Sequence, residues 1–215
     1  MGVKTWMLVY ADGDPGAALR VKPSLSREAT LRLAGSLFPA DRFQEIGRGD
    51  LSFTNPPDDE IRIGCFPGVA VVAAQEFGND YPSRLPPHFL NAAPFPKAYL
   101  HAMHSVVDWF AYAHWSDGTL VRSLSLSPDS GVIEDIGSRL PFEEPYWSGQ
   151  FPPLEPDEDP NGYPFPFHPL ELGEAALGAL FGYQLEGALD NALLEPESIE
   201  LLRLKRSRSR WKFWR

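Results

Sequence analysis

The fold is decided by residues 107–127, which read VDWFAYAHWSDGTLVRSLSLS. β-branched and aromatic residues fill both halves, and the Asp117-Gly118 dipeptide between them favours a two-residue turn. With that turn as the loop, one face of the resulting hairpin is apolar and is predicted to lie on the core. This face holds Val107, Trp109, Ala111, Ala113, Trp115, Leu120, Leu124 and Leu126. The stretch therefore predicts an antiparallel hairpin.

Arg122 is the exception on this predicted core face, where the register puts it opposite Ala113. A buried charge is costly unless it is paired, and a guanidinium group matches a carboxylate in a bidentate way. We therefore expect a structural salt bridge from Arg122 to Glu134, Glu143 or Glu144. The alternative is a ligand-binding role for Arg122 with Glu143 and Glu144.

Apolar runs before the hairpin predict further strands. Residues 4–11 are almost continuously apolar, which is typical of a strand buried on both faces. Residues 61–66 alternate and predict a second strand, and 69–74 form either a third strand or one buried helical turn. Proline is frequent in 78–96, and nine prolines fall in 141–169 together with six acidic residues. Both segments are predicted to be loops, with a short helix near 88–91.

Three helices are predicted from their end signals. Ser26 is a typical N-cap for a helix over 26–38, whose apolar residues recur at helical spacing. Pro169 favours the first turn of another helix, with acidic residues near its positive end. A last helix is predicted over 196–204.

Composition limits the class of protein. The chain has 215 residues, of which 43% are hydrophobic, so one core of ordinary size can form. No apolar run reaches the ~18–20 residues that a membrane-spanning helix needs. The single cysteine, Cys65, excludes an internal disulfide and fits the cytoplasm. An isolated cysteine among isoleucines favours a small buried hydrophobe over a nucleophile.

Charge divides the chain into an acidic body and a basic tail. The net charge is −10, but residues 1–202 hold all 29 acidic residues and 12 of the 19 basic ones, so they carry −17. Such a body repels nucleic acid, and no nucleic-acid binding is expected for it. We predict a single domain over 1–202 and a basic, Trp-containing tail over 203–215. The composition of the tail suits contact with an anionic membrane or nucleic acid, but contact with the acidic body or full solvation is favoured.

Two acidic motifs could hold a metal ion. Asp12-Gly13-Asp14 follows the first strand and is similar to the opening of haloacid-dehalogenase-type phosphotransferases, whose paired carboxylates hold Mg²⁺. The next residues depart from that pattern, and a turn held by the Asp side chains is favoured. Residues 157–162 match the first half of an EF-hand loop, but His168 stands where the bidentate glutamate belongs. A solvated acidic turn is favoured there.

His101, His104, Ser105 and Asp108 form the densest group of chemically useful side chains. In a helix, the two histidines and Asp108 would share one face and could bind a metal. In a strand, His101 and His104 point to opposite faces, because their separation is odd. The β-forming residues that follow favour the strand, and hence histidines that bond the backbone over a metal or acyl-transfer site.

Several longer segments resemble an uncharacterised family of actinobacterial proteins, a domain of unknown function. These segments are KTxxLVYADGD from Lys4, LHAMHSVVDW from Leu100, WxDGxLVRSLSLSP from Trp115 and PFHPLELG from Pro166. The resemblance covers most of residues 1–185. It implies a bacterial cytosolic protein and supplies no activity.

The predicted fold is α+β, a mostly antiparallel sheet built on the 107–127 hairpin with helices packed on one face. For function, we predict a non-enzymatic binding or interaction module, because the sequence has no phosphate loop, nucleophile elbow or dinucleotide fingerprint. Its expected partner is a protein or a small molecule, and no metal or cofactor is expected. The alternative is a metal-assisted hydrolase. Its candidate residues are Asp12, Asp14, His101, His104 and Asp108, with Ser105 as a further catalytic candidate.

Overall fold

A computed structural model of the protein describes residues 4–153, 163–187 and 192–208. These residues form one nine-stranded antiparallel sheet in the order β2-β9-β3-β4-β1-β5-β6-β7-β8. The strands are β1 (Lys4–Ala11), β2 (Asp41–Asp50), β3 (Glu60–Phe66), β4 (Val69–Ala73), β5 (Lys97–His104), β6 (Trp109–Ser116), β7 (Thr119–Ser127), β8 (Gly131–Ile136) and β9 (Glu200–Arg208). The α+β prediction with a mostly antiparallel sheet is confirmed.

The central strand is β1, and its apolar sequence explains this position. Val9 pairs with Val71 of β4 on one side and with Tyr99 of β5 on the other. Residues Met7 to Ala11 are fully buried, as predicted for a strand covered on both faces. The strand predicted over 61–66 is present as β3, and of the two alternatives for 69–74 the strand is the one that forms, as β4.

Five α-helices lie in the described residues: α1 (Pro15–Arg20), α2 (Arg27–Leu37), α3 (Pro87–Leu90), α4 (Glu144–Trp147) and α5 (Pro169–Phe181). Local signals start three of them, since Asp14 and Ser26 cap α1 and α2 with their side chains and Pro169 begins α5. The predicted helices at 26–38 and from Pro169 are thus confirmed. None of these helices is long and apolar enough to cross a membrane.

Helices cover both faces of the sheet, so the prediction that they pack on one face is wrong. One face, here called the α5 face, joins Met7 and Val9 of β1 to residues of α1 and α5. The other, here called the α2 face, joins Leu8 and Tyr10 to residues of α2 and α3. Because the central strands are apolar on both sides, each side needs its own layer.

The predicted hairpin is present as β6 and β7, but its register is correct only beside the turn. Asp117 and Gly118 form the loop with positive φ angles of 49° and 73°, and Trp115 pairs with Leu120. A β-bulge then inserts one residue, so Arg122 pairs with His114 and not with Ala113. The bulge moves Arg122, Leu124 and Leu126 to the α5 face, away from Trp109.

Residues 105–108 form a second turn, between β5 and β6. The strand prediction is therefore right for 100–104 and wrong for 105–108. His104 pairs with Trp109 across this turn, and Asp108 has a φ of 46°. Val107, predicted on the core face, is 48% exposed in the turn, because two hairpins follow one another here and the chain must reverse between them.

The helix predicted over 196–204 is wrong. Only a 3-10 turn forms at Pro196–Ser198, and β9 follows it, paired with β2 and β3. Leu202 and Leu204 recur at spacing two and lie buried on the α2 face, which is strand periodicity. The first residues of the predicted basic tail thus belong to the sheet, and residues 209–215 lie outside the described ranges.

Candidate functional site

The predicted carboxylates Asp12 and Asp14 lie far from His104. Asp14 Oδ1 accepts a hydrogen bond from the Ala17 backbone N–H at 3.0 Å, which makes Asp14 the N-cap of α1. Asp12 and Asp14 follow the C-terminal end of β1, whereas His104 pairs with Lys4 at its N-terminal end. Seven strand steps separate the two ends, about 23 Å. The helix cap formed by Asp14 is consistent with the interpretation of this motif as a turn.

His101 is a fully buried histidine on the α5 face. Its Nε2 lies 3.0 Å from the Gly173 carbonyl oxygen, and its Nδ1 lies 2.9 Å from Thr5 Oγ1. A carbonyl only accepts, so Nε2 carries the proton and Nδ1 accepts from the Thr5 hydroxyl. Burial lowers the pKa of His101 to about 4, although the bond to Gly173 opposes this. Both ring nitrogens are used, and none is left for a metal.

The other members of this group do not converge with His101. His104 points to the α2 face, because it is an odd number of residues away. Asp108 lies 3.7 Å from His168, whose Nδ1 accepts from the Leu170 backbone N–H at the start of α5. The Ser105 hydroxyl is buried and has no hydrogen-bond partner in the described part of the chain. In that part, no three His, Cys, Asp or Glu residues are placed to hold a metal ion.

Arg122 lies in a closed network of hydrogen bonds. Its Nε and Nη2 donate to the two oxygens of Glu143 at 2.9 and 2.7 Å, and its Nη1 donates to Asp135 and to backbone carbonyls. Burial alone lowers the pKa of Arg122, but the hydrogen bonds to Glu143 and Asp135 raise it above its usual range. The predicted pair with a glutamate is confirmed. Every guanidinium nitrogen has a partner, and Glu144 is exposed on α4.

The remaining motif residues do not supply a site. Cys65 is buried, and burial raises the pKa of its thiol, so the thiolate is disfavoured at neutral pH. The EF-hand-like residues 157–162 lie outside the described residues, so the acidic turn stays a prediction.

A cavity of about 390 Å³ on the α2 face is the candidate site, and we call it the His104 pocket. It lies where the N-terminal end of β1 meets the turns that follow β5 and β7. Two tryptophans, Trp6 and Trp109, supply aromatic walls, and Asp80 and Asp129 supply carboxylates. The remaining residues of the wall are Gln75, Gly78, Val107, Ser127, Ser130 and Ile133.

Trp6 and Trp109 are held in place by their surroundings. The indole Nε1 of Trp109 donates to Ser125 Oγ at 3.2 Å. The indole of Trp6 lies against the backbone of Gly78, where an added Cβ would come within 2.8 Å of the ring. Only glycine allows this approach. These contacts position both rings along the wall of the pocket.

The walls of the His104 pocket carry negative charge. Asp80 and Asp129 are exposed, and neither forms an ion pair within the described residues. His104 accepts a hydrogen bond from the Val106 backbone N–H through Nδ1. Desolvation, followed by the nearby charge of Lys4, lowers the pKa of His104, so the imidazole is neutral at pH 7. Among the described residues, the lining thus has two negative charges and no positive one, although the Lys4 ammonium lies close enough to affect the pKa of His104.

Sequence reasoning found one of these residues, His104, and missed the rest. Trp6, Asp80, Trp109 and Asp129 lie on four separate segments, and no spacing in the sequence connects them. The turn signals at Asp108 and near Pro128 could have indicated that the segments end at one edge of the sheet.

The match to known families covers the pocket. The model of a family of unknown function, DUF6928, matches residues 5–204. The chain belongs to this family. The matched region contains every residue of the His104 pocket and ends within β9. The resemblance seen in the sequence is thus confirmed as membership of a family of unknown function. Comparison with curated proteins and with solved structures finds no match.

Proposed function

We propose that the protein is a non-catalytic binding module that takes a small organic ammonium cation in the His104 pocket. The observation that carries the proposal is the pairing of two tryptophan walls with two carboxylates that form no described ion pair, in a lining that holds no cation among the described residues. An ammonium group is attracted both by the face of an indole ring and by a carboxylate. A quaternary or alkylated amine adds methyl groups that bury against the rings.

The charge of the whole protein supports this ligand class. With a net charge of −10, the surface raises the local concentration of cations and repels anions. The pocket has features of a binding site for a small molecule, since it is concave and combines aromatic walls with polar side chains that can orient a ligand.

A metal-assisted hydrolase has less support. His101 has both ring nitrogens hydrogen-bonded and lies across the sheet from His104. Asp14 caps a helix at the other end of β1. The groups that such an enzyme would combine are therefore separated. The bacterial and cytoplasmic setting, the single domain and the membrane contact of the basic tail stay predictions.

The test is an NMR titration of the full chain with tetramethylammonium chloride, following the six tryptophan indole N–H signals. We expect the Trp6 and Trp109 signals to shift with a Kd of about 1 mM, while those of Trp115 and Trp147 stay fixed. Sodium chloride controls for ionic strength, and tert-butanol is the neutral ligand of similar size. An equal response to tert-butanol, or no shift at Trp6 and Trp109, would contradict the proposal.

Charge variants sharpen the test. Asp80→Asn and Asp129→Asn should each weaken tetramethylammonium binding about two- to fivefold, as expected for an exposed charge pair. Asp117→Asn removes the same charge in the β6–β7 turn, outside the pocket, and should leave the Kd unchanged. Weakening of similar size in all three variants would indicate only a general effect of net charge.

A further inference from the structure

A second cavity lies next to the His104 pocket. It measures about 510 Å³ and is lined by Asp58, Asp59, Gln75, Glu76 and Arg206. Gln75 is part of the wall of both cavities. The two cavities therefore share Gln75 as a wall, and an extended ligand would have to pass this exposed side chain to occupy both.

Nearly all polar groups of Arg206 have partners within the protein. Its backbone N–H donates to the Asp59 carbonyl at 2.7 Å, and its Nε lies 3.5 Å from Asp41 Oδ2. Nη2 donates to Glu76 Oε1 at 2.6 Å, and the guanidinium lies over the Phe38 ring at 4.7 Å. The side chain is only 9% exposed. The one remaining group, Nη1, is buried with no hydrogen-bond partner among the described residues.

Glu76 has an unpaired acceptor oxygen that matches the unpaired donor of Arg206. Its Oε1 accepts from Arg206, but its Oε2 is buried and has no partner within the described residues. One ion pair thus leaves a donor and an acceptor unsatisfied in the same cavity. Buried polar groups of this kind are normally hydrogen-bonded in native proteins, and both atoms belong to residues that line the second cavity.

The chemistry of the two atoms limits which ligand group can satisfy them. An ammonium only donates and would leave Arg206 Nη1 unsatisfied, and a carboxylate only accepts and would face three acidic residues. A neutral group that accepts and donates satisfies both atoms. A carboxamide does this with adjacent C=O and N–H₂ groups.

We infer that the ligand is an amine that also carries a neutral carboxamide, with its ammonium in the His104 pocket and its carboxamide on Arg206 and Glu76. The C=O accepts from Arg206 Nη1, and the N–H₂ donates to Glu76 Oε2. This inference rests on the proposed function, since it extends the same ligand past Gln75.

The probes are linear ω-amino amides, starting from glycinamide and lengthened by one methylene at a time. Each is compared with the alkylamine of the same length, which ends in a methyl group. Binding is measured by calorimetry on the full chain, and the Trp6 and Trp109 indole signals report the ammonium end. At least one chain length should span both cavities and bind about tenfold tighter than its alkylamine.

Variants of Arg206 and Glu76 test whether the tighter binding of the amide depends on these two residues, independently of the binding of the ammonium group. Arg206→Lys keeps the charge beside Asp41 but removes Nη1, and Glu76→Gln keeps the shape but replaces an acceptor. Both should abolish the tenfold difference between amide and alkylamine. Arg206→Lys keeps the net charge and should leave the alkylamine affinity unchanged, whereas Glu76→Gln removes one negative charge and is judged on that difference alone. Arg203→Lys is the matched control, because Arg203 is on the same strand and pairs with Glu60 on the opposite face.

The outcomes distinguish the two proposals. If alkylamines shift Trp6 and Trp109 but no amide binds more tightly, the second cavity holds water and this inference is wrong while the proposed function stands. A gain that survives in both variants also overturns it. If no amine shifts either indole, the proposed function is wrong. Thermal unfolding of each variant checks that it is folded.

Discussion

Arg122 and Glu143 form a bidentate ion pair in which both side chains are fully excluded from solvent. Glu143 also accepts from the Tyr112 hydroxyl and from the Leu140 backbone N–H. The pair thus joins β7 to the segment that leads into α4. Its role is structural, because both partners have their hydrogen bonds satisfied within the chain.

Replacing Arg122 by methionine should lower the free energy of unfolding by about 3–5 kcal/mol, because Glu143 is left as an unpaired buried charge. Urea unfolding measures the change. Arg32→Met is the control, since Arg32 pairs with Glu28 on the surface with side chains 66% and 85% exposed. That variant should change stability by less than about 1 kcal/mol. Equal effects of the two substitutions would contradict the role of burial.

His101 should make stability depend on pH. Its pKa is lowered to about 4 in the folded protein, whereas an unfolded histidine titrates near about 6.5. The unfolded chain therefore binds the proton first as the pH falls. The contribution of neutral His101 is fully present above about pH 6.5 and is lost towards pH 4, with about 2 kcal/mol lost between pH 7 and pH 5.

The His101→Gln variant removes this titration. Urea unfolding at pH 7 and pH 5 should show a loss about 2 kcal/mol smaller than in the wild type. His88→Gln replaces an exposed histidine and should keep the wild-type pH dependence. The same pH dependence in all three proteins would show that His101 does not titrate as expected.

Gly78 should control access to the His104 pocket. In Gly78→Ala, the new Cβ would lie 2.8 Å from the Trp6 indole, so the ring or the Gly78 backbone must shift, and both line the pocket. We expect a shifted Trp6 indole signal and tetramethylammonium binding at least about threefold weaker. Gly13→Ala is the control, because nothing lies within 4 Å of its added Cβ. Unchanged binding in Gly78→Ala would exclude Trp6 as a wall of the site.

Two glycines of α5 should respond in opposite directions to alanine. At Gly173 the new Cβ would lie 2.3 Å from Met103 Sδ, within the core, whereas at Gly178 its nearest neighbour is 3.7 Å away. Gly173→Ala should therefore destabilise by about 1–3 kcal/mol through overpacking. Gly178→Ala should stabilise by up to about 1 kcal/mol through helix propensity. Thermal unfolding compares them, and stabilisation by Gly173→Ala would show that Met103 repacks freely.

Features that depend on neighbouring residues were predictable. The apolar run of β1, the Ser26 cap, the proline at the start of α5 and the Asp117-Gly118 turn all act over a few residues, and each is present as predicted. The pairing of Arg122 with a glutamate was also predictable, because a buried cation needs a counter-charge wherever the chain places it.

Features that depend on pairing between segments far apart in the sequence were not predictable. The edge strand β2 is polar and alternates weakly, so only its partner β9 marks it as a strand. The 196–204 segment fits helix and strand periods equally over a short length, and its pairing with β2 and β3 decides between them. The separation of His101 and His104 on opposite faces was predictable, by contrast, because it follows from strand geometry once the strand is assigned.

The sequence by itself determined β1, α2, the start of α5, the β6–β7 turn, the antiparallel α+β class and the acidic charge, because these follow from local backbone preference and composition. Only the tertiary structure decided the register of β6 and β7, the two helical layers and the site. The bulge beside Trp115 changes which face every later residue of β7 occupies. The His104 pocket joins Trp6, Asp80, Trp109 and Asp129 from separate segments, and such a meeting depends on which strands become neighbours in the sheet.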